Sequence, residues 1–552
     1  MYRSFKWFIT VFLLVVSVAA QDLTSKFDSS RMRERVKTLS SDEFQGRGPG
    51  TEGGDRAAKF IEQNLRATGV KAANKGSYFQ EVGLIGLKAD PDTRLLVKGS
   101  AGGEESEFKF GDDLVASTEA QIGEVSVNAE IVFMGYGIDA PLYKWHDYKG
   151  AVDQYKGKIL VILVNDPPAT ADEPDLFGGK ALTYFGRWTY KLEEAARHGA
   201  AGVLLVHTNS SAGYGWNVVR ASNGGWRYEI LREPDDRKPF LKMRAWISEA
   251  AATRLLSSAG LDLKELQNQA KHRDFRPVET GLTASIDIKS EVKRISSPNV
   301  VGIVEGSDRT LKREFVIFSG HYDHLGIGEP DSAGDRIYNG AYDNASGVAA
   351  MLGIAEVLAK TPVKQRPKRS FLFLFTTAEE QGLLGAEYYV SHPLVPLIKT
   401  AANINLDGVN FFGKVRDFIP LGADRSSIIA QINDAARERG LELQADPSPE
   451  QGLFFRSDHF PFAKVGVPAV NFEHGSGFIE KPTAEAEAFG RDYVAKHYHQ
   501  PSDEYFEWWD TSAMIQEAEF ALAFGIKIAN APKMPRYNAA DEFSTADKLR
   551  FR

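Results

Sequence analysis

The sequence predicts an α/β fold, a doubly wound sheet with a ligand crevice at the carboxyl ends of its strands. Three apolar runs carry that expectation. FVIFSG ends on His321-Tyr322-Asp323-His324, FLFLFTTA ends on Glu379-Glu380, and ANINL ends on Asp407. Short continuous apolar runs are the pattern of strands buried on both faces. Open α/β sheets place their ligands just beyond such strand ends. Asp343, in YDNASG, stands between the first two runs and directly before a helical pattern, NASGVAAMLGIAEVLA.

The chain has 552 residues, enough for two to four domains and a large core, with 43% hydrophobic and 25% charged residues. A formal net charge of −8 argues against non-specific binding to nucleic acid or to an anionic membrane. Arg3 and Lys6, an apolar run from Trp7 to about Val16, and Ala19-Ala20 form the three-part pattern of a secretory signal over residues 1–20. The run is shorter than the ~20 residues a bilayer requires, so no membrane attachment is expected after cleavage. An exported chain without a single cysteine suits a bacterial periplasmic or secreted enzyme. It also excludes a thiol nucleophile, and leaves His, Asp and Glu as the only ligands for zinc.

In chain order, residues 28–42 read as a helix and Gly46-Arg47-Gly48-Pro49-Gly50-Thr51 as a loop. A second helix follows, with Ala57, Ala58, Ile61 and Leu65 at helical spacing and a stop at Gly69. Gly48, Gly50 and Gly53 formally match a dinucleotide fingerprint. No β-rich run precedes them and Pro49 interrupts the turn, so a helix-capping loop is the better reading. From about residue 120 the texture becomes β-rich, with VNAEIVFMGYGI, KGKILVILVND and AAGVLLVHT around a helix over 190–197. This segment, 120–280, reads as an inserted domain within a catalytic domain formed by 21–119 and 281–552. A final helix is expected over about 511–530, and a loosely held tail after Pro532.

Hydrolysis assisted by a divalent metal needs neutral imidazoles and carboxylates, with one position open to water. His321 and Asp323 are two apart at a strand end, so they share a side, and Asp323 is placed to accept the other ring N–H of His321. Glu379 and Glu380 are either a ligand beside a general base or the acidic first turn of a helix. Asp343 could precede a helix cap, and Asp407 could be a turn residue before Gly408. Each is ordinary alone. Converging in one crevice without cations, they would cost several kcal/mol in repulsion and desolvation.

The order His-x-Asp, Asp-Asn-Ala-Ser-Gly, Glu-Glu, Asn-x-Asp and a late Tyr-His-x-Pro-x-Asp resembles the co-catalytic zinc peptidases. That family includes bacterial leucyl aminopeptidases, aminopeptidase Y and glutamate carboxypeptidase II. Gly-Arg-x-x-Gly-Thr-x-Gly at 46–53 resembles the segment before their first helix, and GKILVILVN…AARHGAAGVLLVHT looks like their inserted protease-associated domain. The resemblance implies a mixed, mostly parallel sheet with helices on both faces, and a peptide substrate with a free N-terminus. It implies two zinc ions bridged by Asp343, one also on His321 and Asp407, the other on Glu380 and His499. Glu379 would be the general base, Asp323 would orient His321, and Tyr498 would donate to the developing oxyanion. Asp458 and His459 would support the site, the Asp343-Asn344 peptide would be cis, and His324 and His497 are near-misses beside better-placed ligands.

The resemblance leaves other activities open. A carboxypeptidase or dipeptidase needs a basic pocket, to which Arg456 could contribute. Glutaminyl cyclisation uses this fold with one zinc, and a binding protein like the transferrin receptor has lost ligands. Phe454, Phe455 and Phe460 are either an apolar specificity pocket or a core cluster, and Asp331 and Asp335 raise the question of calcium.

Overall fold

The computed structural model describes residues 26–99, 105–151, 153–212, 214–223 and 225–552. The expected signal segment lies outside them. The protein is a mixed α/β structure around a large sheet. Its centre is parallel: Phe315–His321 lies between Ser370–Thr376 and Thr400–Leu406, and Thr400–Leu406 pairs in turn with Ala469–His474. Antiparallel strands flank this core, Asp417–Leu421 on one side and the end of Val278–Val304 on the other. The three central strands are buried at every position except Phe315, which is why their sequences read as unbroken apolar runs.

Helices Ser29–Leu39, Glu52–Thr68, Gly347–Lys360 and Thr511–Asn530 cover one face. The second of these starts on a Thr51 side-chain cap to the Gly54 N–H at 3.2 Å and ends on Gly69 at φ 81°. The other face packs Tyr389, Phe454, Phe455, Phe460, Phe462 and Phe543. The three phenylalanines from 454 to 460 are therefore core residues, although Phe455 and Phe460 also reach the wall of the cleft described below.

A second sheet rises from the first. Strand Val278–Val304 runs for 27 residues and belongs to both sheets. Its C-terminal half pairs antiparallel with Phe79–Ala89, from Ser290 opposite Ala89 to Val300 opposite Phe79. Its N-terminal half pairs with Arg94–Gly99 and Glu124–Phe133. Parallel strands Ile159–Leu163, Gly202–His207 and Met243–Ser248 extend the second sheet, which has its own apolar core. The sheet boundary falls after Ala89 and before Ser290, so the boundaries expected at 120 and 280 do not coincide with it. Arg94–Gly99, Ser106–Lys109 and Leu114–Ser117 all belong to the second sheet.

The tail is also held more firmly than its composition suggested. Tyr537 and Phe543 are buried, Arg425 pairs with Asp541 at 2.9 Å and with Glu542, and Arg550 donates to the Leu397 and Thr400 carbonyls. Alternating charges along the tail disguised two aromatic anchors. Among the described residues, no helix is long and apolar enough to cross a membrane.

Candidate active site

The central strands deliver their side chains where expected. His321 ends its strand, Glu379 and Glu380 follow Thr376, and Asp407 follows Leu406. Asp343 lies in the irregular turn Ala341–Ser346 ahead of the buried helix, and the Asp343-Asn344 peptide is cis. Ala378 and His499 adopt positive φ, 54° and 57°. Non-glycine residues rarely adopt this region, and where they do the surroundings hold them there.

Asp343 sits between two donor groups. Its Oδ1 is 3.2 Å from His321 Nε2, which is itself 3.0 Å from Asp407 Oδ1. Its Oδ2 is 3.3 Å from His499 Nε2, which is itself 3.2 Å from Glu380 Oε2. Tetrahedral zinc with bonds of about 2.0–2.1 Å holds its ligand atoms about 3.3 Å apart, close to the four imidazole–carboxylate distances. The donors are nitrogen and carboxylate oxygen, the set zinc accepts, so the residues fit zinc.

The electrostatics agree. Burial pulls His499 down, but Glu380 and Asp343 outweigh it and bring the imidazole up to about 11. Burial and Asp343 push Glu380 up, and His499 and His324 outweigh them, bringing it to about 2. The His499 imidazole and the Glu380 carboxylate thus favour each other's charged forms. Glu379 differs: burial, with Asp407 and Glu380, pushes it well above the ordinary range despite His321.

Two expected details change. The Asp323 carboxylate is 3.9 Å from His321 Nδ1, whereas the Asp323 backbone carbonyl is 3.1 Å from that nitrogen. The carboxylate instead accepts the Glu379 backbone N–H at 3.1 Å, because the chain turns after Tyr322 and carries the side chain under the neighbouring strand end. His324 belongs to the cluster: its Nδ1 is 2.6 Å from Glu380 Oε1 and its ring meets that of His499 edge-on. His497 stays outside, with Nδ1 on the Ser502 carbonyl and hydroxyl. Tyr498 is exposed at the cleft and stacks on His499 at 3.9 Å. Asp458 is buried and accepts from Thr376, while His459 is buried against Phe454.

Several supporting residues have no local sequence signature. Arg47 is 1% exposed and donates to the carbonyls of Tyr322, Leu39, Asn339 and Gly340. It thereby ties the His321 turn to the loop before Asp343. Asp503 accepts the N–H groups of Tyr342 and Asp343. Ser457 donates to Asp407 Oδ2 at 2.5 Å, and Asn344 donates to the Leu406 carbonyl. The available signals were the Gly-Arg pair at 46–47, Asn344 within Asp-Asn-Ala-Ser-Gly, and the Asp at the end of the late histidine motif.

The cluster opens into a cleft of about 1020 Å³. Tyr498, Phe411 and Arg456 line it on the catalytic side, and Arg187, Trp188 and Tyr228 on the side of the insert.

Residues 299–524 match the model of Peptidase family M28. Among individual proteins, the chain is 27% identical over 241 residues to Aminopeptidase YwaD of Bacillus subtilis, covering 42% of this chain and 45% of that protein. It is 27% identical over 290 residues to a probable leucine aminopeptidase 2 of Aspergillus oryzae, covering 50% and 53%. The chain thus spans about half the length of these two curated relatives. The solved structure of an aminopeptidase from Aneurinibacillus sp. strain AM-1 shares the fold, with TM-score 0.51 and 19% identity over 94% of this chain and 97% of that one.

Proposed function

We propose that the chain is an exported di-zinc exopeptidase, an aminopeptidase that removes residues from the free N-termini of peptides. The observation that carries this reading is the division of Asp343 between two His–carboxylate groups, with Glu379 among the donor atoms within 4.8 Å of His321 and Glu380. His321 and Asp407 would hold one zinc and His499 and Glu380 the other, both sharing Asp343, with His324 steadying Glu380 from behind. When bound, such ions polarise a scissile carbonyl and acidify water. Glu379 takes a proton from the attacking water at its carboxylate and passes it to the leaving amine nitrogen. Asp323 holds the Glu379 backbone in place, and the Tyr498 hydroxyl donates to the carbonyl oxygen as its charge develops. The insert, read as a protease-associated domain, forms the opposite wall of the cleft and limits what enters.

Glu379→Gln should keep its metal content while turnover falls by about 10²- to 10⁴-fold; unchanged turnover would sink the assignment. Zinc-dependent hydrolysis of leucyl-p-nitroanilide, with an N-acetylated dipeptide untouched, is the expected specificity.

One observation favours a second reading, a carboxypeptidase or dipeptidase. Among the described residues no carboxylate pairs with Arg187, whose Nε is buried without a partner, and burial followed by the nearby Arg456 lowers it to about 10. Arg456 spends one N–H on the Gln451 carbonyl. Two cations at the cleft wall would suit a substrate carboxylate, and cleavage of the blocked dipeptide alone would establish that reading.

A further inference from the structure

We propose that the insert carries a metal site of its own, formed by Asp139, Glu194 and His198 and suited to a divalent transition metal such as Zn²⁺. It lies outside the catalytic cluster and does not depend on the peptidase reading.

Glu194 and His198 are four apart at the end of helix Trp188–Arg197, a spacing that places both side chains on one face. His198 Nε2 lies 3.1 Å from Glu194 Oε1, the same donor spacing found at the catalytic cluster. Asp139 comes from a separate element, the short hairpin in which it pairs directly with His146. Ligand atoms of Asp139, Glu194 and His198 all lie within 4.8 Å of one another. Among the described residues the other groupings of this kind all belong to the catalytic cluster.

The surroundings fix these donors. The His198 ring is stacked on Tyr148 at 3.9 Å and 4°, which sets its plane. The Asp139 backbone is held from both sides by the Tyr190 hydroxyl, which accepts from its N–H and donates to its carbonyl. His146 Nδ1 is 3.0 Å from Asp139 Oδ1, the kind of outer contact that orients a ligating carboxylate. The side chains of Glu194, His198 and Asp139 are 10%, 24% and 33% exposed, so an ion could enter and keep water.

Arg197 opposes the ion. It bonds Glu194 Oε2 through Nε at 2.9 Å and through its terminal nitrogen, reducing the negative charge on offer. Oε1 is left for the site. A weakly charged site with an imidazole donor selects a nitrogen-accepting metal over Ca²⁺ or Mg²⁺.

An ion here would staple the Asp139–His146 hairpin to the helix whose first turn carries Arg187 and Trp188 into the cleft. The test is metal content of the full chain after chelation, re-equilibration with Zn²⁺ and desalting. The wild type is expected to hold one equivalent more than Glu194→Gln, His198→Ala or Asp139→Asn, with a larger rise in melting under Zn²⁺ than in any of the three. Asp343→Ala, which disables the catalytic cluster, should still lose one equivalent when Glu194→Gln is added; this separates the insert site from any failure of the zinc-peptidase reading. Melting in chelator shows that each variant folds. Equal zinc content in the wild type and all three variants, with equal melting shifts, would overturn the proposal and leave a hydrogen-bonded network only.

Discussion

Arg47 supports the site most from a single residue. Burial lowers its guanidinium to about 10, with Asp503, Asp343 and Asp323 opposing, so it remains charged at neutral pH and serves four carbonyls at once. Arg47→Met should leave those acceptors buried without donors, costing about 3–5 kcal/mol in urea denaturation and weakening metal retention. Arg47→Lys should recover only part of this, because an ammonium has three donors and no planar fork. The strand-end ligands were legible because each closes an apolar run, and their chemistry is local. Arg47, Asp503 and Ser457 were not, because their partners lie tens or hundreds of positions away and nothing in a window around residue 47 announces Tyr322. The orientation of Asp323 was likewise hidden: spacing puts it on the correct side of the strand, but the turn after Tyr322 decides whether its carboxylate meets His321 or the Glu379 N–H.

At the scale of elements, two helices carry titratable groups that should leave opposite marks on stability. Glu356, on the buried helix Gly347–Lys360, binds Arg31 at 2.5 Å and Arg35 at 2.8 Å from the first helix, and Lys360 at 2.5 Å. Burial pushes it up, yet Lys360, Arg35 and Arg31 outweigh this and hold it below its ordinary 4.5. The folded form therefore binds its proton less readily than the unfolded chain. Its stabilisation is present above pH 4.5 and lost as pH falls through the folded value. Glu356→Gln should flatten thermal melting across that acid range while lowering it at neutral pH.

Glu517, on Thr511–Asn530, accepts the Asn410 N–H at 3.0 Å with one oxygen, while the other has no partner. Burial raises it to about 8. Here the folded form prefers the proton, so its contribution is complete below about 4.5 and is lost as pH rises through 8. Glu517→Gln should remove that alkaline loss and raise melting above pH 8. Most elements themselves were legible. The sheet boundary was not, because one strand spans both sheets and its alternation of buried positions stops at Ile288, leaving an exposed or half-buried stretch from 289 to 296 that nothing in the local sequence marks as the join.

At the scale of the molecule, the two sheets are also joined beside the cleft. The Leu182 N–H reaches the Pro449 carbonyl, the Tyr184 N–H reaches Glu542, and Lys464 binds Glu193 at 2.9 Å and Glu387 at 3.1 Å. Lys464→Met should leave those two acids facing each other, and hydrogen exchange should rise over residues 182–193 before it rises in the central sheet. The long strand has a further consequence, for the gene. Because Ala89 and Ser290 are direct partners in an antiparallel ladder, the coding sequence for residues 90–289 begins and ends at one pair of facing residues, and is in effect the loop of an enlarged β-hairpin. Such a cassette can be lost, exchanged or acquired in one event if a tight turn joins the two strands. The shortened protein would need one compensation, since Phe79–Ala89 would lose its neighbour Arg227–Ile230 and present an open edge to other copies of itself.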